Sequence, residues 1–237
     1  MTRLSVNINK VALLRNSRGG NLPDVIAFAQ TCERLGADGI TVHPRPDERH
    51  IRRADVIALR DVLGVELNVE GYPSPAFLAL IQQVKPTQVT LVPDPPQALT
   101  SDRGWDIIGN REFLVPILIK LKEWQVRVSL FIDPDPLQVE AAAEIGADCV
   151  ELYTGPYAQR FLADPEGAIS PYREAASRAA ALGLRLHAGH DLNLLNLRFL
   201  RQNLPNLVEV SIGHALIADA LYLGIEETLR RYKQALE

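Results

Sequence analysis

GITVHPRPDERHI, residues 39 to 51, passes from a short β-branched, apolar run directly into histidine, arginine and proline. Gly39 to His43 has the length and composition of a buried strand, and Pro44 and Pro46 stiffen the loop that leaves it. The same change recurs along the chain. Candidate strands are Leu4 to Asn9, Gly39 to His43, Val65 to Glu70, Gln88 to Val92, Arg127 to Ile132, Cys149 to Tyr153, Arg185 to Ala188 and Val208 to Ile212. Polar groups suited to chemistry stand at or beyond the end of nearly every run: Asn7 and Asn9, His43 with Arg45, Glu70, Thr100, Asp133, Glu151, His190 and Gly213-His214. In a (β/α)8 TIM barrel, reactive groups converge from the carboxyl ends of different strands onto one face, and this spacing meets that requirement.

Helical patterns fill the intervals, at 24 to 35, 54 to 62, 74 to 85, 112 to 124, 136 to 145, 169 to 182, 193 to 203 and 217 to 236. Ser74-Pro75 and Asp135-Pro136 place a capping side chain before a proline suited to the first helical turn, while Gly36, Gly146 and Gly183 follow helices where a left-handed residue is wanted. Strict alternation implies parallel strands with crossover helices. An open doubly wound sheet is the alternative; eight near-even units favour the barrel, and 237 residues suit one such domain over residues 1–237. The stretches 93 to 111 and 154 to 168 are longer than the scaffold needs, which places lids or extra short helices on the active face.

Composition narrows the function. With 47% hydrophobic and 23% charged residues the chain reads as an ordinary globular protein, with no run suited to a membrane span and no secretory signal, hence cytoplasmic. A net charge of -4 argues against nucleic acid as a partner, and two cysteines, Cys32 and Cys149, argue against a disulfide framework. The sequence holds no clustered His/Cys ligand set, Walker loop, Gly-x-Gly-x-x-Gly turn or Gly-x-Ser-x-Gly elbow, so neither metal nor cofactor is expected.

The remaining candidates fit proton transfer and phosphate binding. Asn7 and Asn9 are expected on one face of the first strand, followed by a flexible basic loop of Arg15, Arg18 and Gly19-Gly20 of the kind that grips phosphate. His43 titrates near neutrality and Arg45 offers a bidentate phosphate grip, with His50 closing their loop; the bland alternative is a capping histidine over a surface salt-bridge loop. Glu70 and Glu151 sit in or at the mouth of apolar strands, where burial would make a general base, or an arginine a structural ion pair. His190 and Gly213-His214 follow the seventh and eighth strands, the usual phosphate pocket of this fold. His187 reads instead as a packed strand residue.

Together VNIN with LLRNSRGG, GADGITVHPRPDERHI, LNVE, VTLVPD with Thr100, VSLFID, GAD with Glu151 and TGPYA, AGH at 188 to 190, and IGHALI resemble the pyridoxine 5'-phosphate synthase family over nearly the whole chain. The resemblance implies a barrel with additional helices, a homo-octamer, and condensation of 1-deoxy-D-xylulose 5-phosphate with 3-amino-2-oxopropyl phosphate. Pyridoxine 5'-phosphate, phosphate and water would be the products. Carried over, His43 and Glu70 are proton acceptors, His190 a proton donor and Glu151 a transition-state stabiliser. Asn7, Arg18, Asp191, Gly213 and His214 would hold the amino-ketone phosphate; Asn9, Lys10, Arg45, His50 and Thr100 would hold the sugar phosphate. Asn9-Lys10 stands where family members often have Asp-His, and Asp191 where glycine is usual.

Two other functions compete on the same barrel. A Schiff-base phosphosugar aldolase or lyase would use Lys10, the one lysine of five near a strand end. A non-catalytic phosphometabolite-binding barrel would retain the phosphate grips without turnover.

Overall fold

Alternation of aliphatic and polar residues along each strand builds two unlike surfaces on one sheet. In the computed structural model, which describes residues 1–94 and 102–237, the strands are β1 (Arg3–Asn7), β2 (Gly39–Val42), β3 (Glu66–Gly71), β4 (Gln88–Leu91), β5 (Arg127–Ile132), β6 (Cys149–Tyr153), β7 (Arg185–Gly189) and β8 (Leu207–Ile212). All pair in parallel and in sequence order, and β8 closes onto β1 with Arg3 opposite Glu209 and Ser5 opposite Ser211. The expected TIM barrel is therefore observed. The described helices are α1 (Asn9–Asn16), α2 (Val25–Arg34), α3 (Arg53–Val62), α4 (Pro75–Val84), α5 (Arg111–Glu123), α6 (Pro136–Glu144), α7 (Gly155–Phe161), α8 (Pro165–Ala181), α9 (Leu197–Asn203), α10 (His214–Leu223) and α11 (Ile225–Ala235). None of them is long and apolar enough to cross a membrane.

The outward positions, among them Leu4, Val6, Ile40, Val42, Val69, Leu130 and Val210, are fully or almost fully buried under the helices and form the hydrophobic core. Most inward positions are polar, in place of the branched aliphatic layers that usually fill such a barrel. Ser5 and Thr41 share a 2.7 Å hydroxyl contact, Asn68 donates to Thr41 (3.4 Å), and Thr90 donates to Asn68 (3.1 Å). Lower down, Arg3 pairs with Glu66 (2.6 Å) and Glu209 (3.0 Å), while Arg127 pairs with Glu66 and donates to Gln88 (2.8 Å). Burial alone would raise the Glu66 carboxyl, but Arg127 and Arg3 bring it down to about 2.

Several local expectations are corrected. β1 stops at Asn7, because Ile8 turns inward to the core and the Asn7 side chain accepts from the Asn9 amide (3.1 Å), starting α1. Asn9 thus belongs to a helix, not to a strand face. Arg15 is no member of a phosphate-gripping loop: it lies in α1, 2% exposed, and gives both terminal nitrogens to Asp55 (2.6 and 2.8 Å). One of those nitrogens also reaches the His50 carbonyl (3.1 Å), so Arg15 braces the loop carrying His50.

Elsewhere the extra short helix is α7, and α8 begins at Pro165 rather than 169, capped by Asp164 accepting from Gly167 (2.9 Å). Gly224 (φ 78°) divides the expected 217 to 236 helix into α10 and α11.

Breaking a buried ion pair strands the remaining charge, at a cost of about 3 to 5 kcal/mol. Arg15→Ala is expected to lower unfolding free energy by about 3 kcal/mol in urea titration, and a loss below about 1 kcal/mol would show that the brace is dispensable.

Candidate active site

The carboxyl ends of the strands bring five of the candidate residues into one mouth. His43 is the first residue past β2, 7% exposed, and its backbone amide donates to the Asn9 side-chain oxygen (2.9 Å). Its Nδ1 lies 3.9 Å from Glu70 Oε2 at the end of β3, and Asn7 Nδ2 donates to the same oxygen (3.5 Å). Glu151 projects inward from β6, buried, with Oε2 3.4 Å from the Thr90 hydroxyl. Small residues make this crowding possible. A Cβ at Gly189 would fall 2.1 Å from Glu151 Oε1, and one at Gly213 would meet the Asn7 side chain at 3.1 Å.

Burial in this mouth decides protonation. Burial, followed by the charges of Glu151 and Asp94, pushes the Glu70 carboxyl well above its usual range, with Arg45 opposing. Burial and the neighbouring Glu209 push Glu151 up to about 8. A protonated Glu151 can donate to the Thr90 hydroxyl while that hydroxyl donates to Asn68, so the hydrogen-bond chain accommodates the proton. Burial and then Arg45 hold His43 well below its usual value, and burial with Arg45 and Lys10 brings His50 down to about 4. At neutral pH both histidines are neutral, and Glu151 retains a proton it can exchange.

Two flanks complete the mouth. On one, Arg45 Nη2 lies 2.7 Å from Asp94 Oδ2, with both residues 5% exposed, beside a cavity of about 200 Å³ lined by His43, Arg45, Glu48, Tyr72, Ser74 and Asp94. On the other, His190 and Asp191 follow β7 in the left-handed region (φ 88° and 57°), an uncommon conformation for side-chain-bearing residues that persists only where surrounding contacts hold it. Those contacts are present. The Thr154 hydroxyl engages the carbonyls of Gly189 (2.7 Å) and His190, and Tyr153 meets the His190 ring edge-on at 5.2 Å. Asp191 Oδ2 stands 3.3 Å from His190 Nδ1, and this contact, with His214 and Lys10 nearby, holds the Asp191 carboxyl below its usual range. The Asp191 carboxylate is therefore occupied with His190.

Lys10 and Arg18 are exposed on α1 and in the turn after it, and His214 is exposed at the start of α10. Thr100 lies outside the described residues. His187 is buried facing the lumen, 3.5 Å from Gln88, as a packed strand residue. Residues not singled out from sequence are Thr90, Asp94, Tyr153 and Thr154. Thr90 was readable as an inward position of β4, whereas Asp94 acquires meaning only through Arg45, which reaches it across the end of β3. A larger cavity of about 610 Å³, with Lys122, Arg127, Asp148 and Arg185, opens at the amino ends of β5 to β7, away from these groups.

Comparison with known proteins places the chain in a family. A family model described as pyridoxal phosphate biosynthesis protein PdxJ matches residues 4–237. Pyridoxine 5'-phosphate synthase of Bacteroides fragilis (strain YCH46) is 58% identical, with all of both chains aligned. The enzyme of the same name from Porphyromonas gingivalis is 56% identical over all of this chain and 99% of its own. Among solved structures, phosphoribosylanthranilate isomerase from Thermotoga maritima superposes with a TM-score of 0.61 at 14% identity, covering 100% of this chain and 98% of that one, a likeness of fold alone. The match over almost the whole length, with relatives above half identity, makes this chain a member of the PdxJ family of pyridoxal phosphate biosynthesis proteins.

Proposed function

We propose that the chain is a pyridoxine 5'-phosphate synthase, joining 1-deoxy-D-xylulose 5-phosphate to 3-amino-2-oxopropyl phosphate. The observation that carries this reading is the cluster at the mouth, with Glu151 buried, Glu70 partly buried and His43 Nδ1 3.9 Å from Glu70, an environment that raises both carboxyls and keeps His43 neutral. The reaction condenses an amine with a ketone, expels water and phosphate, and closes an aromatic ring. Each stage moves a proton and none changes the overall oxidation state, so the demand is for acids and bases of near-neutral strength between two phosphate grips.

Glu70 serves as the base, with His43 as a second acceptor beside it. His190, held in its strained turn by Thr154, Tyr153 and Asp191, donates the proton that a departing oxygen requires. Glu151, protonated at neutral pH, stabilises developing negative charge by hydrogen bonding. Arg45, His50, Asn9 and Lys10 form the sugar-phosphate side, to which the family resemblance also assigns Thr100. Asn7, Arg18, Gly213 and His214, with the Asp191 backbone, form the amino-ketone phosphate side, where the first amides of α10 favour an anion. The imine-forming reading draws no support from Lys10, which stands exposed on α1. Self-association is supported by Leu13 and Leu14 on α1 and Leu221 and Tyr222 on α10, exposed on two helices that touch each other.

Glu70→Gln keeps size and removes the base, so turnover is expected to fall roughly 10²- to 10⁴-fold while both substrates still bind. Assaying pyridoxine 5'-phosphate formation alongside calorimetric binding checks this, and near-normal turnover would remove Glu70 from the role. Arg45→Ala is expected to weaken the sugar phosphate by about 1.5 to 3 kcal/mol and leave the amino-ketone phosphate nearly unaffected. Equal weakening of both would contradict the division of the site.

A further inference from the structure

Arg45 and Arg15 are both buried arginines paired with an aspartate, yet the two pairs are built differently. Arg15 gives both terminal nitrogens to Asp55, which uses up its fork. Arg45 gives Asp94 one nitrogen, Nη2 to Oδ2 at 2.7 Å, and its guanidinium carries five N–H donors in all. The side chains of Arg45 and Asp94 are 4% and 3% exposed, and both residues line the 200 Å³ cavity beside His43. A guanidinium so deeply buried requires an anionic partner before substrate arrives, or its desolvation goes uncompensated. A bidentate partner would satisfy it and block the phosphate as well.

We propose that Asp94 is a positioning residue that holds the Arg45 guanidinium by one nitrogen, so that its other N–H groups stay turned toward the sugar phosphate. The proposal rests on the reading of Arg45 as the sugar-phosphate grip. Asp94 reaches it from the segment after β4, across the end of β3, and so comes close to Glu70. Among the described residues, the groups facing Glu70 are Glu151 from β6, Asp94 from beyond β4, His43 and Arg45 from beyond β2, and the uncharged Asn7 from β1. Asp94 raises the Glu70 carboxyl and Arg45 lowers it, so the pair keeps the positive charge of the phosphate grip from acidifying the base beside it.

Asp94→Asn keeps the shape and removes the charge. Steady-state kinetics with each substrate varied in turn are expected to show the sugar phosphate KM rising about tenfold, with kcat within about threefold and the amino-ketone KM unchanged. The acid limb of kcat/KM is expected to move to lower pH, because Glu70 must be ionised to act and loses a negative neighbour that opposed ionisation. Asp94→Glu, with the charge on a longer arm, is expected to keep the acid limb in place while the sugar phosphate KM still rises. Unchanged KM in both variants, or equal loss for both substrates together with a lower unfolding temperature, would overturn the proposal in favour of a structural ion pair. Should Arg45→Ala weaken both substrates alike, the reading of Arg45 itself fails; should it act selectively while both Asp94 variants are silent, only the role of Asp94 fails.

Discussion

A barrel lined with polar side chains has to satisfy most of them from neighbouring strands, and that constraint organises this molecule. Arg3 ties Glu66 to Glu209, so β1 is bound to β3 and β8 by charge as well as by register. Above it Ser5, Thr41, Asn68 and Thr90 form a ladder that steps around the barrel from β1 to β4 and ends beside Glu151. Removing one member orphans its neighbours, so the ladder acts as a connected network. Its upper end is the candidate active site. The carboxyls there are desolvated because the helices and strand ends shut out water, and that desolvation is the first cause of the raised values of Glu70 and Glu151.

The same groups couple folding to pH. A carboxyl raised in the folded state binds its proton more tightly there than in the unfolded chain. Its contribution to stability is complete below the unfolded value near 4.3 and is lost as pH rises through the folded value, about 8 for Glu151 and about 7 for Glu209. His43, His50 and His187 act oppositely: all are lowered in the fold, and they favour it once pH exceeds their ordinary value. Between about pH 7 and 8 the histidines are neutral in both states, so the carboxyl contribution sets the slope and stability falls with pH. The raised carboxyls thus give up some stability at neutral pH in exchange for protons that the site can exchange.

Much of this was legible in the sequence because it is local. The apolar outward positions, the Asp135 cap accepting from Leu137, and the glycines ending α2 and α6 all announce themselves within a few residues. His43, Glu70, Glu151 and His190 were readable because each ends or interrupts a run of buried strand. What was missed depends on partners distant in sequence. Arg15 looked like a phosphate-binding loop residue because Asp55, which buries it, is 40 positions away. Asn9 looked like a strand residue because the turn begins with the side chain of Asn7, and Gly224 was read through because α10 and α11 share a continuous helical pattern. The role of Asp94 required knowing that β4 lies two strands from β2.

The central claim is that the folded mouth, by denying them water, raises the Glu70 and Glu151 carboxyls, so that Glu151 keeps its proton at neutral pH and Glu70 ionises above the ordinary carboxylate range. Carbon-detected NMR of the 13C-glutamate-labelled protein follows each carboxyl as pH is raised, with Glu70→Gln and Glu151→Gln assigning the two signals. The expected result is that both signals titrate above the ordinary glutamate range, Glu151 near 8, and that Glu151→Gln lowers the Glu70 midpoint. Complete ionisation of both carboxyls by about pH 5, the ordinary range for glutamate, would contradict the account.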